Sequence, residues 1–230
     1  MTEADIRANT VITNILEDTG IPILSEEGIH LPYAQRSGWK TLWIIDPLDG
    51  TSEFVARSDD FCVNIALVEN GIPVSGVIYS PVRDAIWFGG IGLGAWKIEE
   101  ATNAIEDFSF DSLLSVAIGL PYRNTGDEFV FVASRSNLNA ATKAYIDKVS
   151  AQHAKTRIAH IGSALKFTVL AEGLAQLYPR FAATSEWDTA AGHALLLSIG
   201  GNIFQGETDV PLQYNKENLD NPGFIAKLTK

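Results

Sequence analysis

Asp46 and Asp49 stand three residues apart in Trp43-Ile44-Ile45-Asp46-Pro47-Leu48-Asp49-Gly50-Thr51-Ser52-Glu53-Phe54, directly after an apolar run. That run reads as a buried strand, so Asp46 arrives at its carboxyl end and Pro47 stiffens the turn that brings Asp49 back to the same point. Two hard carboxylate ligands can then face one Mg²⁺. Gly50 and Thr51 follow at a helix start, where backbone N–H groups favour an anion. The bland alternative is an Asx-type turn in which Asp49 merely caps a helix.

Two more acidic segments weigh against the bland alternative. Ile23-Leu24-Ser25-Glu26-Glu27-Gly28 and Ser185-Glu186-Trp187-Asp188-Thr189-Ala190-Ala191-Gly192 each put a carboxylate at the end of an apolar strand or the start of an apolar helix. Basic residues cluster later in the chain, with Ser134-Arg135-Ser136 just past a predicted strand and Lys166 and Arg180 in segments ahead of Asp188. Each alone reads equally well as a solvated cation. Together they suit a phosphate on the substrate, because Arg and Lys complement phosphate charge.

These segments, in this order, resemble the inositol monophosphatase-like superfamily of Mg²⁺-dependent, lithium-sensitive phosphatases. The pattern is a Glu-Glu pair after a strand, then Asp-Pro-Ile/Leu-Asp-Gly-Thr, then a distant Trp-Asp at a helix start. Within the superfamily the chain is most similar to the CysQ-type 3'(2'),5'-bisphosphate nucleotidase branch. Leu48, Glu53-Phe54, Ser134-Arg135-Ser136, Gly162-Ser163-Ala164-Leu165-Lys166-Phe167 and Leu177-Tyr178-Pro179-Arg180-Phe181 carry that closer likeness, which runs from about Thr2 to Phe224.

The resemblance implies two or three Mg²⁺ ions. Glu26, Asp46 and the Leu48 carbonyl would hold the first, while Asp46, Asp49 and Asp188 would hold the second. Thr51 and Asp5 are cast as the pair that orients and deprotonates the attacking water, a general-base role. Gly50, Thr51, Ser134, Arg135, Ser163, Lys166 and Arg180 would bind substrate. Its branch often carries His after Ser-Arg-Ser, whereas this chain has Asn137. Ahead of Thr2-Glu3-Ala4-Asp5 the family has a first helix and a mobile loop that this sequence lacks. Poor turnover and an exposed apolar face on the first helix are therefore expected.

The activity implied is hydrolysis of the 3'-phosphate of adenosine 3',5'-bisphosphate, with its 5'-phosphosulfate analogue as a further candidate. An inositol or sugar phosphate monophosphatase is the alternative within the same chemistry. A truncated, inactive phosphatase-like binding protein is the alternative of another class.

The elements that must position these groups follow from periodicity. Ile12, Ile15 and Leu16 predict a first helix, and Gly20-Ile21-Pro22 stops it before a strand over Ile21 to Leu24. Segments Phe61 to Val68, Ile72 to Tyr79, Asp84 to Phe88 and Ala95 to Ile98 predict an antiparallel meander, with Glu69-Asn70-Gly71 as a hairpin turn. The run Gly89 to Gly94 lacks a βαβ context and reads as a turn rather than a dinucleotide fingerprint. An acidic, irregular stretch from Asn103 to Ser112 marks the boundary between a metal-binding α+β lobe, 1–110, and an α/β substrate lobe, 111–230. In the second lobe, strands at Leu114 to Gly119, Phe129 to Ala133, Arg157 to Ile161 and Ala175 to Tyr178 alternate with helices at Leu138 to Val149, Ser163 to Glu172 and Asp188 to Ile199. The family fold implied is a layered αβαβα sandwich lacking its N-terminal helix.

Composition bounds the partners. With 46% hydrophobic residues in 230, the chain can bury a sizeable core. A formal charge of −11 argues against gripping a nucleic-acid polymer through its phosphates. The partner expected is a small phosphorylated molecule, an adenine nucleotide, with oligomerisation left open. Cys62 is the single cysteine and excludes an intrachain disulfide. With no signal peptide and no run of apolar residues long enough to span a bilayer, the default location is the cytoplasm, peripheral membrane association remaining compatible. His30, His153, His160 and His193 show no metal-ligand spacing and read as structural or surface residues.

Overall fold

A computed structural model describes residues 1–134 and 138–229. The first helix, α1 (Glu3–Glu17), starts at a Thr2 capping box completed by Asp5. It leads to β1 (Ile23–Ser25), α2 (Tyr33–Arg36), β2 (Thr41–Asp49) and α3 (Thr51–Val55). A meander follows as predicted: β3 (Cys62–Glu69), β4 (Ile72–Ser80), β5 (Ala85–Gly90) and β6 (Gly94–Ile98), then α4 (Ala101–Ala104), α5 (Phe110–Val116) and β7 (Ile118–Gly119). These seven strands form one sheet in sequence order, with β1 parallel to β2 and every later pair antiparallel.

The second sheet takes β8 (Phe129–Ala133), β9 (Thr156–His160), β10 (Leu177–Arg180), β11 (Gly201–Gln205) and β12 (Phe224–Leu228), in the order β11-β12-β10-β8-β9. Helices α6 (Ala140–Ser150), α7 (Leu165–Ala171) and α8 (Glu186–Ser198) complete the chain. Helix α1 packs on β1 and β2, α7 and α8 lie between the two sheets, and α6 covers β10. The layers therefore run α, β, α, β, α.

The middle layer is what locks the molecule. Helix α8 is buried almost all round, from Glu186 through Leu196, as a helix sandwiched between sheets must be. Its close approach needs small residues. A Cβ on Gly76 of β4 would lie 2.6 Å from the Ala191 carbonyl oxygen, and one on Gly192 would strike the Phe167 ring. One apolar cluster runs continuously from Leu42, Ile44 and Ile78 through Phe167 and Leu195 to Phe224, so both sheets share it.

The structure corrects several element boundaries. Leu114 to Gly119 was predicted as a strand, but Phe110–Val116 is helical and only Ile118–Gly119 joins the sheet. Leu113 and Leu114, half-buried on that helix, mimic a strand run. The two last strands, β11 and β12, carry glycine or lysine and no clean alternation, and were absent from the prediction. Helix α1 leaves Ile6, Val11 and Ile15 exposed, the last by 66%. Among the described residues no helix is long and apolar enough to cross a membrane.

Candidate active site

Strand β2 delivers the central acids. Its pairing with β3 is regular through Asp46 opposite Asn64, then shifts before Asp49 meets Cys62. That irregularity lets two residues of a period-2 strand reach one place. Asp46 is 1% exposed and accepts a hydrogen bond from the Leu48 N–H at 3.1 Å, which closes the turn around Pro47. Gly50 sits at φ +96°, with no room for a Cβ beside the Asp60 carbonyl, and turns the chain into α3. It is Gly50, not Asp49, that occupies the cap position, which leaves the Asp49 carboxylate available.

Asp188 comes from α8. It is the third residue of the helix rather than its first, and one carboxylate oxygen accepts the Ser185 N–H at 2.7 Å in a capping box. Single carboxylate oxygens of Asp46, Asp49 and Asp188 all lie within 4.8 Å of one another. Glu26, on the turn after β1, is exposed as a residue, yet its carboxyl group comes within hydrogen-bonding distance of Asp46. The parallel pairing of β1 with β2 sets Ser25 opposite Ile45, one residue short of both acids.

The electrostatics are those of crowded like charges. Burial, then the charges of Asp49, Glu26 and Asp188, push the Asp46 carboxyl well above the usual range. Burial and neighbouring acids raise Asp188 to about 7. Burial also raises Asp49, against the opposing pull of Lys166, the Ala164 N–H and Asn64. Loss of solvent, then Asp49, Glu27 and Asp5, raise Glu26 against its bond to Asp46. A divalent cation would neutralise this cluster, and an all-oxygen donor set suits Mg²⁺. The residues present fit the metal.

Thr51 and Asp5 form a separate unit on the rim. The Thr51 hydroxyl donates to Asp5 Oδ1 at 3.0 Å and lies 3.4 Å from the Leu48 carbonyl. Asp5 is 1% exposed. Burial alone would raise its pKa, but donations from the Thr2 side chain and backbone and from Thr51 leave it lowered, an ionised carboxylate.

Ser134, Ser163, Lys166, Tyr178 and Arg180 line the same cavity of about 320 Å³ as Glu26, Asp46, Leu48, Asp49, Gly50, Thr51 and Asp188. Lys166 is 4% exposed, donates to the Ser163 carbonyl at 2.5 Å, and lies over the Tyr178 ring. Burial lowers its pKa to about 8, with Asp49 pulling the other way. Arg180 donates to the Ala183 carbonyl at 3.2 Å, while its buried Nε has no partner. Arg135 and Asn137 lie outside the described residues.

Two neighbours of Asp49 do not stand out as site residues in the sequence. Asn64 donates its amide to Asp49 Oδ2 at 3.2 Å, and the Cys62 thiol sits 3.9 Å from the same oxygen. A signal was present: Cys62, Asn64 and Ala66 share the buried face of an alternating strand, and a polar Asn there needs a buried partner. Cys62 is the buried strand residue expected, but it borders the site rather than plain core.

Comparison with known proteins accords with this geometry. A model described as the inositol monophosphatase family matches residues 1–225. The 3'(2'),5'-bisphosphate nucleotidase CysQ of Shigella flexneri is 41% identical over 233 aligned positions, covering 99% of this chain and 85% of its own length. The crystal structure of CysQ from Bacteroides thetaiotaomicron, a bacterial member of the inositol monophosphatase family, superposes with a TM-score of 0.94 at 44% identity, covering 98% of this chain and 83% of its own. Inositol monophosphatase II of Staphylococcus aureus shares the fold at a TM-score of 0.72 and 20% identity, covering 97% of this chain and 76% of its own.

Proposed function

The chain belongs to the inositol monophosphatase family, and from that membership we propose that it is a Mg²⁺-dependent phosphatase that removes the 3'-phosphate of adenosine 3',5'-bisphosphate. The observation that carries this reading is one cavity lined by both kinds of charge: the carboxylates of Glu26, Asp46, Asp49 and Asp188, and the cations Lys166 and Arg180. Relatives named as 3'(2'),5'-bisphosphate nucleotidases support the substrate.

Glu26, Asp46 and the Leu48 carbonyl would hold one Mg²⁺, and Asp46, Asp49 and Asp188 a second. When bound, the ions supply positive charge to the phosphoryl group and acidify water. The chain's own residues do the rest. Asp5, kept ionised, takes the Thr51 proton in a hydrogen bond and so aims a hydroxyl lone pair into the cavity. Thr51 can then accept a proton from the attacking water while passing its own toward Asp5. Gly50 and Thr51 approach the reacting phosphate by backbone.

Lys166 and Arg180 bind the phosphate that does not react, with Ser134 and Ser163 lining the same cavity; the family motif assigns Arg135, outside the described residues, to the substrate as well. Arg180 is suited to this because its buried Nε is unpartnered and an anion would satisfy it. The phosphosulfate analogue presents the same 3'-phosphate and is a second candidate substrate. A lone buried thiol suits a reducing compartment, so the cytoplasm is the proposed location.

Steady-state turnover of adenosine 3',5'-bisphosphate, inositol 1-phosphate and fructose 1,6-bisphosphate, with and without Mg²⁺, tests the reading. The expected outcome is metal-dependent hydrolysis with the highest kcat/KM on the adenosine bisphosphate. A preference for inositol 1-phosphate would move the chain to the monophosphatases, and no turnover with any of them would leave a binding protein.

A further inference from the structure

A polar strut stands beside the acidic cluster, away from the cavity. Asp60, in the loop between α3 and β3, is 7% exposed. Its carboxylate accepts the Gly162 N–H at 3.0 Å and the Arg83 Nη2 at 2.8 Å. Arg83 sits in the turn between β4 and β5 with its side chain 36% exposed. Neither residue is among those described as lining the site cavity.

The strut reaches the site through three residues of backbone, Gly162 to Ala164. Gly162 packs so closely that a Cβ there would lie 2.7 Å from the Asp60 Cβ. Ser163 comes next at φ +49°, a left-handed conformation that a serine adopts only when its surroundings hold it. The Ala164 N–H then donates to Asp49 Oδ2, and the Ser163 carbonyl takes the Lys166 ammonium at 2.5 Å. One strained loop thus orients a carboxylate of the acidic cluster and places a cation of the same cavity. It is pinned before Ser163 by Asp60 and after it by Lys166.

We propose that Asp60, steadied by Arg83, is a positioning residue for metal binding, an inference that rests on the metal-dependent reading above. By fixing Gly162 it keeps the Ala164 N–H on one oxygen of Asp49, so that the carboxylate holds its orientation beside Asp46 and Asp188. Without the pin, the left-handed turn at Ser163 relaxes, the Ala164 N–H withdraws, and the Asp49 carboxylate is left with Asn64 and the more distant Cys62 thiol to orient it. Partners of metal ligands of this outer kind change affinity by about 10- to 100-fold when removed. Asp60 acts one step further out, which places its effect at about tenfold.

The test is Mn²⁺ binding to the purified chain without substrate, read from the free-ion electron paramagnetic resonance signal, alongside thermal melting. Asp60→Ala should weaken Mn²⁺ binding about tenfold. Arg83→Ala should weaken it about threefold, since its ion pair is partly exposed, and Arg83→Lys should restore it. The double variant should be no weaker than Asp60→Ala, because both residues act through Gly162. Wild-type affinity in Asp60→Ala with only a lowered melting temperature would reduce the strut to a structural brace and overturn the proposal. Should Asp60→Ala not fold, unchanged affinity in Arg83→Ala overturns it equally. Asp46→Asn separates the two levels: if wild type and Asp46→Asn bind Mn²⁺ alike, the metal reading falls and this proposal with it.

Discussion

Helix α8 borders two buried polar clusters, and they are built on opposite rules. At Glu186, 0% exposed, every carboxylate oxygen is occupied: the Lys216 N–H at 2.9 Å, the Lys216 ammonium at 2.7 Å and the Asn215 N–H at 2.6 Å. The cluster continues through Asn221 and Tyr214 onto Thr189, and to His193, whose ring nitrogens lie 3.0 Å from the Tyr214 hydroxyl and 2.8 Å from Asn202 Oδ1. Two residues along from Glu186, Asp188 joins three other acids that repel one another. A satisfied network rigidifies and an unsatisfied one stores a demand for a ligand. The difference marks the second cluster as the candidate site on physical grounds that do not use the motif.

The largest effect should come from removing one carboxylate of each kind. Asp46→Asn keeps shape and relieves repulsion, so turnover should fall by at least about two orders of magnitude while the metal-free chain melts no lower than wild type. Glu186→Ala strands the Lys216 charge and two backbone donors, and should cost about 3 kcal/mol of stability. Assay of turnover and melting on both variants checks the contrast. If Asp46→Asn also destabilised the metal-free chain by several kcal/mol, the acidic cluster would be a structural one.

Much of the site was legible because strand ends and helix starts announce themselves. An apolar run stopped by Asp-Pro-x-Asp-Gly, and a Trp-Asp ahead of small apolar residues, placed Asp46, Asp49 and Asp188 in local structure. The turn at Pro47 already brought Asp46 and Asp49 together, but the convergence of Asp188 and Glu26 on that pair came only from the motif resemblance, since the parallel β1–β2 pairing and the α8 sandwich join residues far apart in the chain. The paired cluster was not visible at all. Glu186, Asn215 and Arg36 are polar residues from three unrelated segments, with Arg36 donating to the Asn215 side chain at 2.9 Å, and nothing in composition predicts their burial. The same holds for Asp60 and Arg83, which meet across a loop and a hairpin turn.

Lys166 sharpens the comparison because it is a buried cation proposed to meet a phosphate. Its pKa of about 8 lies below the unfolded value of 10.5, burial being the main cause. The folded chain therefore binds this proton more weakly than the unfolded chain. That penalty is fully present below pH 8 and disappears as pH rises toward 10.5. Lys166→Met should raise metal-free stability at pH 7 by on the order of 2 kcal/mol, with the gain shrinking by pH 10. Use of the bisphosphate should fall more than use of a small monophosphate. Denaturant melts at the two pH values, with kcat/KM on both substrates, check this. A destabilised variant would make Lys166 part of the satisfied core.

Acidification should separate the clusters by sign. His193 is buried with its pKa lowered to about 4 from 6.5, burial being the cause. Its neutral form is the folded one, so stability is complete above pH 6.5 and is lost as pH falls toward 4. Asp188 is the reverse: burial and neighbouring acids raise it to about 7 from 3.8. Its protonated form favours folding, so its contribution is complete below pH 3.8 and is lost as pH rises through 7. Between pH 7 and pH 5.5, His193 should cost the metal-free chain about 1 kcal/mol and Asp188 should return a similar amount. Asp46, Asp49 and Glu26 are raised as well and add to the Asp188 side, so wild type should gain stability over that interval. Removing His193 by substitution with Gln should steepen that gain, and Asp188→Asn should reduce it. Urea midpoints at pH 7 and 5.5 for the three proteins measure both slopes. Parallel slopes in the two variants would mean that the clusters do not differ in charge balance.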